Sequence, residues 1–339
     1  LIDQTILEDI ERIKSDLGKV NLKDKKVLVT GGAGFIGSWL CDILISLDAE
    51  VACLDDLSTG RIDFIDHLLD KSEFHFFNDN VCTFKSDDKY DMVFHLASHP
   101  SPEEYQRNPI ETLRTSSEGT YNIAELARKL DATILFTSTS EIYGNAEIIP
   151  TPETYWGKVN PVGPRSCYFE GKRFAESLFM AYHRQYGLDV KIARTFNSYG
   201  PRLREDGLYG RVVPRFMIQA LTNQPITIYG DGTQTRSFCY ITDTISGLIL
   251  LASSKNSKGE IINIGNLHEV TILQLAMTIK ELTKSTSHLA FGQLPQDDPI
   301  RRCPDTSKIE KLLGWKPKIT LEEGLERTII WFTRKGGGS

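Results

Sequence analysis

The amino-acid sequence predicts a doubly wound parallel α/β sheet with a smaller C-terminal lobe built from discontinuous segments. Three observations lead there. Short apolar strands alternate with helical stretches from Lys26 to about Gly200, the pattern that builds parallel sheets from crossover units. A glycine-rich turn joins the first strand to the first crossover helix. Beyond Gly200 the composition shifts to short strands and helices broken by Gly and Pro.

Residues 1–25 read as an N-terminal extension, because residues 1–20 alternate charge with Ile and Leu at helical spacing. Val27, Leu28 and Val29 make a buried strand, a helix follows from Gly34 through Ser46, and residues 50–54 complete a βαβ unit. Further strands are expected at 74–77, 92–96 and 133–136, the last two separated by one helix over 110–130. A long helix is expected over 168–186, with Phe174, Leu178, Phe179 and Tyr182 on its packing face, followed by a strand at 190–193. Residues 336–339 read as a linker-like tail.

With 339 residues and 40% hydrophobic content, the chain can bury one large core, or one core and a smaller lobe. A net charge of −6 and an isoelectric point near 5.7 give no diffuse attraction to nucleic acid or anionic membrane, so an anionic ligand needs a local group of Arg and Lys. No apolar run approaches the roughly 20 residues that span a bilayer. The six cysteines, Cys41, Cys53, Cys82, Cys167, Cys239 and Cys303, are scattered without a CxxC pair, so reduced thiols in a cytoplasmic protein are expected. His95 and His99 lack partner spacing for a metal, and none is expected.

Gly31, Gly34 and Gly37 sit where the first strand turns into a helix, so backbone amides can approach a pyrophosphate and the helix dipole can favour its charge. A tight turn alone would also use glycine. Asp55 at the end of the second strand favours dinucleotide binding, because an acid there accepts hydrogen bonds from the adenosine ribose. The same acid would repel the 2′-phosphate of NADP, so NAD is expected; Arg61 is the nearby cation that opposes this. Tyr168 and Lys172 lie one turn apart on a helix, where the ammonium can lower the phenol pKa and hold the nicotinamide ribose. The phenolate can then take a proton from a sugar hydroxyl. Such a pair is common on solvated helices, and its place after the glycine turn and after Thr137-Ser138-Thr139-Ser140-Glu141 gives it weight.

With those motifs, and with the stretches 137–144, 153–157, 160–172, 194–202 and 232–243, the sequence resembles the extended short-chain dehydrogenases/reductases from Lys26 to Phe332. Within that family it is most similar to the UDP-glucuronate decarboxylases. The resemblance implies a Rossmann-like NAD-binding domain over 26–200 that carries the catalytic helix, and a lobe over 201–335 that mainly binds a UDP-sugar. It implies cofactor contacts from Gly31, Gly34, Phe35, Ile36, Gly37, Asp55, Asp56, Ser58, Thr59, Gly60, Asp79, Asn80, Val81, Leu96, Ala97, Ser98, Thr137, Tyr168 and Lys172. Tyr105, Ser140, Asn197, Val213, Arg215, Gln219, Tyr229, Arg236 and Arg302 are implied in the substrate pocket, and Thr139, Glu141, Tyr168, Lys172 and Arg302 in catalysis. Two residues depart from the pattern, Asn80 at a usual Asp and Ser116 at a common Asn. A homodimer formed through the helices at 110–130 and 168–186 is also implied, as a four-helix bundle.

The family's nucleotide-sugar reactions can all begin with oxidation at C4. In its 4,6-dehydratases the position of Ser140 is an Asp that protonates the leaving C6 hydroxyl, and a serine is too weak an acid for that. Glucuronate carries a carboxylate at C6, which becomes a β-keto acid once C4 is a ketone. The expectation is NAD-dependent decarboxylation of UDP-glucuronate to UDP-xylose with internal recycling of NADH. A 4-epimerase is the alternative, a 4,6-dehydratase is less favoured, and a nucleotide-sugar sensor is the non-enzymatic reading.

Overall fold

The structure, a computed structural model, describes residues 2–204 and 211–336. After the N-terminal helix α1 (Gln4–Leu17) come β1 (Lys26–Thr30), α2 (Phe35–Ser46), β2 (Glu50–Leu54), β3 (Phe74–Phe77) and β4 (Met92–His95). Short helices α3 (Pro102–Arg107) and α4 (Pro109–Arg114) lead to α5 (Thr120–Leu130), β5 (Thr133–Thr139), α6 (Ser166–Tyr186) and β6 (Val190–Thr195). The C-terminal part supplies β7 (Ser198–Tyr199), α7 (Val212–Leu221), β8 (Ile226–Tyr229), β9 (Thr235–Ser237), β10 (Cys239–Tyr240), α8 (Ile241–Ser253) and β11 (Ile261–Ile264). It closes with β12 (Glu269–Thr271), α9 (Ile272–Leu282), β13 (Leu289–Gly292), β14 (Arg301–Arg302), α10 (Ser307–Leu313) and α11 (Leu321–Gly336). Residues 337–339 of the expected tail lie outside the described residues, and its first residue, Gly336, ends α11.

Seven strands form one parallel sheet in the order β3-β2-β1-β4-β5-β6-β11. Helices cover both faces, so strands such as β1 and β4 read as unbroken apolar runs rather than as alternating ones. The chain winds outward in one direction from β1 and in the other from β4, so the loops leaving these neighbours diverge and open a crevice. Two later segments belong to the sheet half, β11, which pairs with β6, and α8, which packs on β5 and β6.

The N-terminal helix is docked rather than free. Ile6, Ile10, Ile13 and Leu17 are buried on one face, with α8 as the main neighbour. Asp9 is fully buried there, accepting hydrogen bonds from Tyr240 Oη at 2.6 Å and Arg327 Nε at 2.8 Å. All six cysteines are free.

Two expectations about helices are refined. The stretch over 110–130 is helical throughout but widens into a π-turn at Thr115–Gly119, which brings Ser116 against α6. A Cβ on Gly171 of α6 would lie 2.8 Å from that of Ser116, so the extra residue accommodates a close helix approach. Of the expected face of α6, Phe179 and Tyr182 are buried, but Phe174 is 47% exposed and Ala175 takes the buried place beside it.

Beneath the crevice, His95 ends β4 between two threonines. Thr30 Oγ1 accepts from the amides of Leu96 and Ala97, so its own proton goes to His95 Nδ1 at 2.8 Å. Nε2 is thereby left to donate to Thr120 Oγ1 at 3.2 Å. Burial, reinforced by the Lys172 charge, pushes the imidazole down to about 3 from its ordinary 6.5. A base whose folded pKa is depressed stays neutral in the fold down to about 3 while the unfolded chain takes up a proton below 6.5, so its contribution is full above 6.5 and is lost as pH falls toward 3. Stability measured by denaturant unfolding should therefore fall between pH 6.5 and about 3 more steeply in wild type than in His95→Gln, by up to about 5 kcal/mol.

Candidate active site

The crevice opens into a cavity of about 660 Å³, walled by the C-terminal ends of the strands and by the lobe. At one end lies the turn from β1 into α2. Gly31 has φ +71°, and a Cβ there would stand 2.9 Å from the amide of Ala97. A Cβ on Gly37 would overlap the Gly31 carbonyl, so both positions require glycine for α2 to begin against the turn. Gly31, Gly34, Phe35, Ile36 and Gly37 line the cavity with Asp55, Thr59, Leu96, Ser98 and Thr137. Ser98 Oγ and Thr137 Oγ1 are buried with no hydrogen-bond partner among the described residues. A glycine cradle at a helix N-terminus with orphaned hydroxyls beside it fits a dinucleotide.

The carboxylate of Asp55 accepts from Ala33 N at 3.0 Å and Leu57 N at 2.9 Å, which fixes it at the cavity edge. Burial raises its pKa, against those two amides. Other expected cofactor residues stand behind the wall. Gly60 packs on the Asp55 carboxylate, Val81 joins the core beside Phe84, and Ala97 lies under Gly31. Asp56 accepts from Ser58 N and from Asn80 Nδ2, both at 3.0 Å, while exposed Asp79 accepts from the Asn80 amide at 2.7 Å. The departure at Asn80 thus has a physical reason, since an Asp there would set two carboxylates against each other.

The middle of the cavity is built by the end of β5 and the start of α6. Thr137, Thr139, Ser140 and Glu141 come from the first, and Arg165, Tyr168 and Lys172 from the second. Lys172 Nζ donates to the Thr137 carbonyl at 3.0 Å and stands 4.8 Å from the Phe136 ring centre, and burial pushes it down to about 7. Burial raises the Tyr168 phenol well above its usual range and the Glu141 charge adds to this; Thr139, Arg211 and Arg302 act in the opposite direction. The expected lowering of the phenol by Lys172 is therefore not the dominant influence in this structure.

Tyr105 is corrected. It is fully buried, its ring stacked on Tyr168 at 5.1 Å and 4°, and its hydroxyl accepts from Arg165 Nε at 2.9 Å, so it backs Tyr168 instead of facing the cavity. Gln219 is also displaced from the wall, because its amide is spent on both sides of Thr227, at 3.1 Å and 3.0 Å.

At the far end, β14 pairs in register with β9, placing Arg302 beside Arg236. Arg215 and Val213 come from α7; the Arg215 guanidinium lies 4.7 Å from the Tyr229 ring centre. Burial lowers Arg215 and brings Arg236 down to about 10. Asn197 lines the wall, its Nδ2 donating to the Ser237 carbonyl at 2.9 Å. Two residues to which the sequence reading assigned no role also line it. Arg165 donates to Glu141 Oε2 at 3.1 Å and to Asp298 Oδ1 at 3.1 Å. Its position one turn before Tyr168 could have revealed it; for Asp298 no local pattern exists. Among the described residues, no group of His, Cys, Asp and Glu side chains could hold a metal ion.

Residues 27–265 match the model of the NAD dependent epimerase/dehydratase family. The chain belongs to that family. It is 46% identical over 311 residues to UDP-glucuronic acid decarboxylase 1 of Danio rerio, covering 92% of this chain and 73% of that one. It is also 46% identical to UDP-glucuronic acid decarboxylase 3 of Arabidopsis thaliana, covering 88% of this chain and 86% of the relative. Among solved structures, the UDP-glucuronic acid 4-epimerase of Bacillus cereus, in complex with UDP-glucuronic acid and NAD, superposes with a TM-score of 0.82 at 29% identity, over 91% of this chain and 99% of that one.

If the glycine cradle of this family member holds the pyrophosphate, Gly37→Ala should weaken NAD binding by about tenfold or more in calorimetric titration, because the added methyl forces α2 away from the turn.

Proposed function

We propose that the chain is an NAD-dependent UDP-glucuronate decarboxylase, which converts UDP-glucuronate to UDP-xylose through a 4-keto intermediate. One observation carries the reading. Beside the Thr139, Tyr168 and Lys172 group stands a carboxylate, Glu141, held by Arg165 at 3.1 Å and with Arg302 at 3.6 Å, and Arg302 Nε has no hydrogen-bond partner among the described residues. A buried guanidinium with a spare donor suits a substrate carboxylate. Ser140, in place of an acid, argues against dehydration. The relatives named decarboxylases support the same reaction.

NAD, when bound, would supply the hydride acceptor and donor that C4 needs, so that the cycle is redox-neutral. Tyr168 takes the proton from the C4 hydroxyl, with Thr139 holding the same oxygen. Lys172, fixed to the Thr137 carbonyl, holds the nicotinamide ribose. Arg302 steers the C6 carboxylate, and after carbon dioxide leaves, Glu141 relays to C5 a proton drawn from solvent water. Arg215, Tyr229 and Arg236 hold the uridine diphosphate end, and Asp55 holds the adenosine ribose. The resemblance to the Bacillus cereus 4-epimerase favours one second reading, hydride return to the opposite face of the ketone without loss of carbon.

Incubation with UDP-glucuronate and NAD separates these. Carbon dioxide and UDP-xylose are expected; UDP-galacturonate would support epimerisation, and tight binding without product a sensor. Tyr168→Phe should lower turnover by roughly 10²- to 10⁴-fold while leaving NAD affinity nearly unchanged.

No helix among the described residues is long and apolar enough to cross a membrane. For the oligomer we propose a homodimer through α4, α5 and α6. Ile110, Leu113, Tyr121 and Phe174 on these helices are exposed, by 68%, 38%, 55% and 47%, which leaves an apolar face for a second copy. Light scattering should give twice the chain mass, and Phe174→Glu should shift it toward the monomer.

A further inference from the structure

Five charged side chains meet at the sugar end of the cavity, and one of them has no place in the chemistry described above. Arg165 uses all three of its nitrogens: Nε donates to Tyr105 Oη at 2.9 Å, Nη2 to Glu141 at 3.1 Å, and Nη1 to Asp298 Oδ1 at 3.1 Å. The second oxygen of Asp298 accepts from Arg236 Nη2 at 2.8 Å. Asp298 is thus the link between the guanidinium beside the catalytic carboxylate and the guanidinium at the diphosphate end. It is carried by the segment between β13 and β14, so it precedes Arg302 by one short stretch of chain. That segment is also pinned to the approach to α6, where Asn160 Nδ2 donates to Asp297 Oδ2 at 3.3 Å.

The charge pattern gives the link its purpose. Arg165, Arg236 and Arg302 are 7%, 9% and 10% exposed at the side chain, and three guanidinium ions so enclosed repel one another unless carboxylates lie between them. Glu141 and Asp298 are those carboxylates. Without Asp298, the Arg165 fork is free to turn both of its outer nitrogens onto Glu141, the bidentate arrangement that guanidinium and carboxylate favour. Such a closed pair would occupy both oxygens of Glu141, including the one that faces Arg302.

We propose that Asp298 is a positioning residue for proton return: by drawing Nη1 of Arg165 and Nη2 of Arg236 to itself, it keeps Glu141 from closing onto Arg165 and leaves it able to serve C5. This rests on the decarboxylase reading. In that reaction, loss of carbon dioxide leaves the electron pair of the C5–C6 bond in the C4–C5 enolate. A proton added at C5 consumes the pair and restores the 4-ketone, which then accepts hydride at C4 and a proton on its oxygen from Tyr168. Slowing the C5 step alone therefore strands the cofactor in its reduced form.

The test is steady-state turnover of UDP-glucuronate by Asp298→Asn, with the cofactor absorbance followed throughout. The expected result is a fall in kcat of about tenfold or more, a KM unchanged or lower because a negative charge has been removed near an anionic substrate, and build-up of reduced nicotinamide that wild type does not show. NAD affinity should be kept, and Asp298→Glu should recover part of the lost kcat. Unchanged kcat in Asp298→Asn overturns the proposal, as does a defect confined to KM or a parallel loss of NAD affinity, either of which marks a residue that only holds its loop. Wild type run alongside must release carbon dioxide. If it does not, the decarboxylase reading falls and takes this inference with it; if it does while Asp298→Asn is undiminished, the inference falls alone.

Discussion

The reversal of strand order between β1 and β4 is the constraint on which the site depends. Parallel neighbours whose crossovers leave in opposite directions cannot cover the space above their C-terminal ends, so a crevice is left there without cost to the sheet. Thr30 and His95 lock its floor, and Gly31 and Gly37 let α2 start close enough for its N-terminus to face the opening. The end of β5 and the first turns of α6 form one wall. Lys172, reaching the Thr137 carbonyl, ties these two elements together.

The cavity encloses its cations, so an acidic protein can present positive charge to an anion without carrying an excess of it. Arg165, Arg236 and Arg302 lie within the wall, where the surrounding dielectric is low and each opposite charge counts for more than at the surface. Removing those ions from water is costly, and such networks contribute little net stability. Their effect is geometric. Each guanidinium edge facing a fixed partner leaves few arrangements open, and the edge that remains on Arg302 is the one left available to a carboxylate.

A second buried network supports the same wall from behind. Glu176, one turn beyond Lys172, accepts from Ser138 Oγ at 2.6 Å and pairs with Arg194 at 2.7 Å. Arg194 continues to Tyr143 Oη at 2.8 Å, and Tyr143 to Asn263 of β11 at 2.7 Å. Asn263 in turn holds the Asp305 carbonyl at 3.1 Å, close in sequence to Arg302. The strand that presents Thr139 and the segment that presents Arg302 are thereby set against each other, although far apart in the chain.

Local pattern determined the elements and marked residues at two places along the cavity. Apolar runs placed β1 to β6 to within a few residues, the glycine spacing marked the turn from β1 into α2, and a tyrosine and lysine one turn apart on α6 both line the cavity. These features depend on periods of a few residues, and a sequence displays such periods directly. The resemblance to a known family added the distant substrate residues, yet it put Tyr105 and Gln219 in a wall they do not form. Which face of α6 is buried, where the helix over 110–130 widens, and how Asp298 comes to join Arg165 to Arg236 were decided by tertiary packing alone. A side chain's partner across more than a hundred residues is set by how the sheet and lobe close on each other, and no local pattern encodes that meeting.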